Sequence, residues 1–360
     1  MHSELQLGHI PFEIFWEILS HLPVKSLLKF KAVCKSWYAL ICDKKFVLSN
    51  YEGRKRGGAL IFKREARDSC SIEVNYSINH ELVIEKIVPC PLGLGLVKIL
   101  GSSNGLVLFC DNKFMYAWNP STRTCKEVSS LRGLELESIW SIKASGFCYD
   151  NSSDDYNVVL VKEEEIMSLS LKSRKNWTTV ATCAYEILSS TSAIAPIVNG
   201  NPHWLANHKK SDRNIHGELI VYFDTKTNDL IELPVPELRN TEEKWISGLG
   251  VVDGCLCMIR PNNDQGEVLV MKEYGVGESW TTIFGFPPRL QLTKGLEPIF
   301  FTKNGDVLFA HGSKHAWAFN PKKESVLHLV QLPKKPTNFS MQYYDVFGCT
   351  YVESLAPIPN

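Results

Sequence analysis

The sequence predicts a mainly β protein with an α N-terminal module: a three-helix unit, then a β-propeller of six blades closed by the C-terminal strand. Three observations predict it. Residues 10–41 carry apolar positions at helical spacing, interrupted by proline. From Ala59 onward the chain consists of short apolar runs between turn signals, with little helical periodicity. Several of those signals recur at multiples of about fifty residues, a length that holds four strands.

The helices come first. Pro11 has the fixed backbone angle that suits a first helical position, and Ile14, Ile18, Leu19 and Leu22 follow as one apolar face. Leu22-Pro23 ends that helix, because proline clashes with the preceding turn and pushes residue 22 out of helical geometry. A second short helix starts near Val24. A third places Val33, Trp37 and Leu40 or Ile41 on one side. Residues 1–45 form this module, and the charged stretch that includes Arg54-Lys55-Arg56 makes 46–58 a linker. Three short helices enclose little apolar area, so the unit needs something to lean on.

The residues Ile10-Pro11, Glu13-Ile14, Glu17-Ile18-Leu19, Leu22-Pro23, Lys25-Ser26-Leu27 and Val33-Cys34-Lys35-Ser36-Trp37 together resemble the F-box. That resemblance implies docking onto a Skp-type adaptor and, through it, a cullin–RING ubiquitin ligase. The module is too small to hide all its apolar side chains. Pro11, Ile14, Leu19, Leu22, Leu27 and Val33 are therefore the expected adaptor contacts.

The β domain is expected over residues 59–355. Tyr116-Ala117-Trp118-Asn119-Pro120 recurs as Trp317-Ala318-Phe319-Asn320-Pro321, with a looser copy at Val221 to Thr225. Asn104-Gly105, Asn199-Gly200, Asp253-Gly254 and Asn304-Gly305 form a second series, and Trp177-Thr178-Thr179 with Trp280-Thr281-Thr282 a third. Asn-Gly and Asp-Gly enter positive φ cheaply and make hairpins; Asn-Pro starts a turn with its first angle preset. Blades are expected near 96–128, 139–180, 193–233, 246–284 and 298–331, with an incomplete first blade at 59–88. The run Tyr343 to Leu355 supplies the strand that completes it, leaving no open sheet edge.

Ser103-Asn104-Gly105-Leu106, Trp118-Asn119-Pro120-Ser121-Thr122-Arg123, Gly146-Phe147-Cys148-Tyr149-Asp150 and Ser279-Trp280-Thr281 resemble the F-box-associated domain of the large plant F-box receptor group. The resemblance implies capture of a target protein. It names no target.

Composition excludes other classes. The 360 residues carry 39 Lys+Arg against 39 Asp+Glu, so nothing global argues for nucleic acid or a membrane surface. No signal-peptide pattern opens the sequence and no window has the apolar length to span a bilayer, so the cytoplasm or the nucleus is the expected location. Eleven cysteines form no framework and are read as free thiols; Cys255 and Cys257 share one side of a strand with no second pair to complete a zinc site. No metal or cofactor is expected.

Three motifs invite chemistry and are better read as structure. Gly101-Ser102-Ser103-Asn104-Gly105 matches G-x-S-x-G, but a nucleophile elbow leads into a helix and this one leads into the strand Leu106 to Cys110. His311 and His315 flank a glycine-containing loop rather than sharing a helix face. Asp154-Asp155 and Glu163-Glu164-Glu165 sit at strand ends, where charge faces water. Two rivals to the receptor reading stay open: a propeller hydrolase using Ser103 or these acids, and an F-box scaffold working outside ubiquitination.

Strands of a blade alternate in direction, so the Asn-Gly and Asn-Pro turns share one face as scaffold. The other face receives turns at which the repeats disagree, and variable loops on a rigid scaffold are where binding resides. Glu164, Lys209, Lys210, Arg213, Asp264 and Lys314 are the expected target contacts.

Overall fold

The computed structural model describes residues 11–54, 59–66, 69–78, 81–89, 98–173, 176–188, 194–209, 218–236, 245–262, 265–287, 296–301, 307–311, 315–331 and 348–359. Helices α1 (Phe12–Ser20) and α2 (Val24–Phe30) each start directly after a proline held extended at the N-cap, Pro11 and Pro23. Helix α3 (Lys35–Cys42) buries Leu40 and Ile41. Val33 precedes α3 and is exposed, so it is not part of that buried side.

The expected linker is a helix over most of its length. Helix α4 (Lys44–Arg54) is capped by Asp43, whose Oδ1 accepts from the Phe46 N–H at 3.1 Å. Phe46, Val47 and Asn50 are buried at helical spacing, and Asn50 Nδ2 donates to the Ser20 carbonyl at the end of α1 (3.0 Å). Lys44 and Lys45 of this helix are exposed, while Lys55 and Arg56 lie outside the described residues. Trp16 packs edge-on against Phe46 at 5.1 Å, and Trp37 meets both Phe15 and Phe30.

The β strands follow in chain order. β1 (Ala59–Ala66), β2 (Ser69–Ile78) and β3 (Glu81–Pro89) open the first sheet. β4 (Lys98–Ser103), β5 (Leu106–Cys110), β6 (Phe114–Asn119) and β7 (Thr124–Ser130) form the second; β8 (Ile142–Asp150), β9 (Asp155–Lys162), β10 (Glu165–Ser170) and β11 (Thr178–Thr182) form the third. In the fourth, β12 (Tyr185–Ile187) and β13 (Ile197–Val198) both pair with β14 (Asn201–His208), followed by β15 (Leu219–Asp224) and β16 (Asp229–Leu233). β17 (Gly248–Val252), β18 (Cys255–Asn262), β19 (Gln265–Met271) and β20 (Trp280–Phe286) form the fifth. β21 (Leu296–Phe301), β22 (Val307–His311), β23 (His315–Asn320) and β24 (Ser325–Gln331) form the sixth. Finally β25 (Gly348–Tyr351) pairs antiparallel with β1 and completes the first sheet, the closure that the C-terminal apolar run predicts.

The leading strands of the sheets touch one another in a ring: β25 meets β4, β4 meets β8, β8 meets β14, β14 meets β17, β17 meets β21, and β21 returns to β25. Alternating side chains of the fifth sheet's strands fill the gaps on its two sides. Leu256, Met258 and Leu269 face the fourth sheet's Leu205 and Ile220, while Cys257, Ile259 and Val268 face the sixth sheet's Val307 and Phe309. Cys255 packs against that second cluster, so the Cys255 and Cys257 pair is part of the core, and burial pushes the Cys257 thiol up.

The repeats carry recurring geometry. Asn104-Gly105, Asn199-Gly200 and Asp253-Gly254 all have positive φ at both positions and join the first two strands of a sheet as two-residue hairpins. Asn119, Asp224 and Asn320 begin the four-residue turn between the last two strands, each accepting backbone N–H groups on Oδ1. Trp177 and Trp280 staple neighbouring sheets, donating from Nε1 to the carbonyls of Ser130 (3.1 Å) and Pro234 (2.8 Å).

Candidate protein-docking surfaces

Two surfaces are candidates for docking. The first lies on the helical module. Leu19, Val24, Leu27, Ile41 and Phe46 are buried in its interior, yet Phe12, Ile14, Ile18, Val33 and Tyr38 stay between 49 % and 60 % exposed. So much exposed apolar area on so small a unit makes this face a candidate for docking. Of the expected adaptor contacts, Pro11, Ile14 and Val33 are exposed and Leu22 is half-buried. Leu19 and Leu27 are a correction: both are 0 % exposed and support the surface from beneath. The α1 sequence is apolar on two sides, so periodicity identifies the stripe without saying which part points inward. Phe12, Ile18 and Tyr38 are exposed as well.

The second surface is the propeller end built from the turns between the second and third strands of each sheet. It lies opposite the Asn-Gly and Asn-Pro turns. Glu163 and Glu164 form the β9–β10 turn, and Lys209 follows β14 of the next sheet; Lys209 Nζ meets Glu164 Oε1 at 2.8 Å. That contact holds the Glu164 carboxyl below the usual carboxylate range. Two expected target contacts therefore engage each other across neighbouring sheets. Lys210, Arg213, Asp264 and Lys314 lie outside the described residues.

Sequence reasoning passed over Trp140 on this face. It sits in a 3-10 turn, Ile139–Ser141, between β7 and β8. Ile139 is buried and donates its N–H to Asn112 Oδ1 (3.2 Å), while Ser138 Oγ accepts from the Trp140 N–H (3.1 Å). The indole is nevertheless 43 % exposed, with Lys98 Nζ 5.8 Å from its ring centre. Burial holds the Lys98 amine below its ordinary range, and the amine donates to the Ile142 carbonyl. A rigidly held, half-exposed tryptophan is the kind of side chain that anchors protein contacts.

The elements invoked for a hydrolase have structural duties. Ser103 ends β4 and pairs with Leu106 across the Asn104-Gly105 hairpin, so no helix follows it. Asp154 binds Lys44 of α4 at 2.6 Å and accepts from the Tyr149 hydroxyl at 2.7 Å. Asp155 is buried and accepts from the Lys172 N–H (2.8 Å) and the Ser170 hydroxyl. Among the described residues no group of three or more His, Cys, Asp and Glu side chains is placed to hold a metal. No described helix is long and apolar enough to cross a membrane.

Comparison with known proteins agrees with this two-part layout. Residues 7–49 match the family described as the F-box domain, and residues 60–358 match the F-box associated beta propeller domain. Among curated proteins of Arabidopsis thaliana, F-box/kelch-repeat protein At3g23880 is 28 % identical, covering 82 % of this chain and 83 % of its own length. F-box protein CPR1 is 28 % identical over 95 % of this chain and 90 % of its own length. F-box protein At5g49610 is 31 % identical over 87 % and 89 %. With the helical module inside the first match and the ring of sheets inside the second, the chain belongs to the F-box proteins that carry an F-box associated beta propeller domain.

Proposed function

We propose that this chain is the substrate-recognition subunit of an SCF-type ubiquitin ligase, working in the cytoplasm or the nucleus. The helical module binds a Skp-type adaptor and, through it, a cullin–RING core; the propeller binds a target protein. The observation that carries this reading is the exposed set Phe12, Ile14, Ile18, Val33 and Tyr38 above the buried core of the helices. The chain contributes no catalytic group. Holding the target beside a charged ubiquitin-conjugating enzyme raises the effective concentration of acceptor lysines.

Burying side chains of this size is worth about 1.5–3 kcal/mol each. Ile14→Asp with Ile18→Asp should therefore abolish capture of a recombinant Skp-type adaptor while leaving the melting temperature within a few degrees of wild type. Undiminished capture by the double variant would refute the assignment. Co-purification of a cullin with the wild-type chain separates a ligase subunit from a hydrolase, and stabilisation of a bound protein on proteasome inhibition separates it from a scaffold.

A further inference from the structure

We propose that Val352–Pro359, the segment after the closing strand, is a strap that holds the F-box helices on the propeller in one orientation, with Asn119 as its anchor. The chain enters β1 and leaves β25 at the same end of the ring, the end made of Asn-Gly and Asn-Pro turns. The strap crosses the second sheet there. Asn119 Nδ2 donates to the carbonyls of both Ser354 (3.0 Å) and Ala356 (2.9 Å), and the Ser354 N–H donates to Ser121 Oγ (3.2 Å). Leu355 and Ala356 are buried in the same apolar cluster as Leu19, Leu27 and Phe46 of the helices, and Ile358 packs against it. Lys44 and Asp154 add an ion pair between α4 and the β8–β9 turn at the same end.

The repeats supply internal controls. At the turn position of Asn119, the fourth sheet has Asp224, which caps Lys226 and Thr227 through one oxygen just as Asn119 caps Ser121 and Thr122. The turn needs only that oxygen. An amide in the second sheet adds the N–H₂ that the strap carbonyls require, and a carboxylate cannot donate to them. Gly105 shows the same specialisation. A Cβ there would lie 2.1 Å from Ser354 Cβ and 2.5 Å from the Val352 carbonyl oxygen, whereas at the equivalent Gly254, also at positive φ, it would meet nothing within 4 Å.

The strap rests on these contacts alone; its consequence, a fixed geometry between adaptor and target, rests on the function proposed above. The test is amide hydrogen exchange on the full-length chain. Asn119→Asp keeps the turn and removes the donor, so exchange of the α4 amides near Phe46–Asn50 should accelerate about tenfold, with β17–β20 unchanged. Gly105→Ala should do the same and Gly254→Ala should not. Should Asn119→Asp loosen β4–β7 as a whole, Leu355→Ser, which alters no turn, decides in its place. Wild-type exchange in α4 for the strap variants would overturn the proposal. Capture of the recombinant adaptor is followed in parallel: its absence in the wild-type chain would refute the proposed function and leave the strap standing.

Discussion

His203 is buried at 0 % exposure, on the inward side of β14. Its Nδ1 lies 2.9 Å from the Asn201 carbonyl, which only accepts, so Nδ1 carries the proton and the opposite nitrogen accepts from the Tyr274 hydroxyl at 2.8 Å. Tyr222 stacks on the ring. Burial lowers its pKa from 6.5 to about 4, so the folded chain resists protonation that the unfolded chain accepts. The stability this confers is complete above pH 6.5 and is lost as the pH falls towards 4. By linkage the loss approaches about 3 kcal/mol. Urea midpoints across that range should fall for the wild type and fall much less for His203→Gln; parallel curves would refute the assignment. At Gly146 the constraint is steric. A Cβ there would lie 2.5 Å from Pro202 Cβ of the neighbouring sheet, so Gly146→Ala should cost about 1–3 kcal/mol in a denaturant titration.

At the scale of elements, α4 and β25 connect parts that are distant in sequence. Phe46 of α4 is fully buried against Trp16 of α1, and Phe46→Ala should cost about 3–5 kcal/mol and loosen the whole helical module, read by calorimetry. Leu27→Asp should unfold that module, unlike the surface pair Ile14→Asp and Ile18→Asp. Removing 348–360 leaves β1 paired with β2 alone and exposes its other edge. That deletion should drive the protein into aggregates, measured by light scattering, whereas a chain ending at Tyr351 should remain soluble because it keeps β25.

For the whole molecule the decisive fact is which end of the ring the helices occupy. The Lys44–Asp154 pair puts them over the scaffold turns, so the end carrying Trp140, Glu164 and Lys209 is left uncovered by them. Strand residues reach far into this end of the ring. Asn207 and His208 belong to β14, and Pro261, Asn262, Gln265 and Gly266 to β18 and β19. Trp140→Ser, combined with a Gly-Ser replacement of 210–217, should remove target capture and spare adaptor capture. A target bound at wild-type strength by that variant would move recognition to another face.

Periodicity and turn chemistry determined a great deal in the sequence alone. Pro11 and Pro23 mark the helix starts, and the Asn-Gly and Asn-Pro series mark the strand pairs, because both act through backbone angles that a few neighbouring residues set. The closing strand was legible too, since a ring of sheets leaves one strand short at the start and one spare at the end. What only the tertiary structure decided depends on partners far along the chain. Leu19 and Ile18 are equally apolar neighbours, and only tertiary packing makes one core and the other surface. Lys44–Arg54 reads as charge until Phe46 has Trp16 to meet. Asn119 looks like any turn asparagine until residues 354–356, more than two hundred positions away, bring two carbonyls to its amide. Local geometry is written in short stretches of sequence; which side of an element faces in is a property of what folds against it.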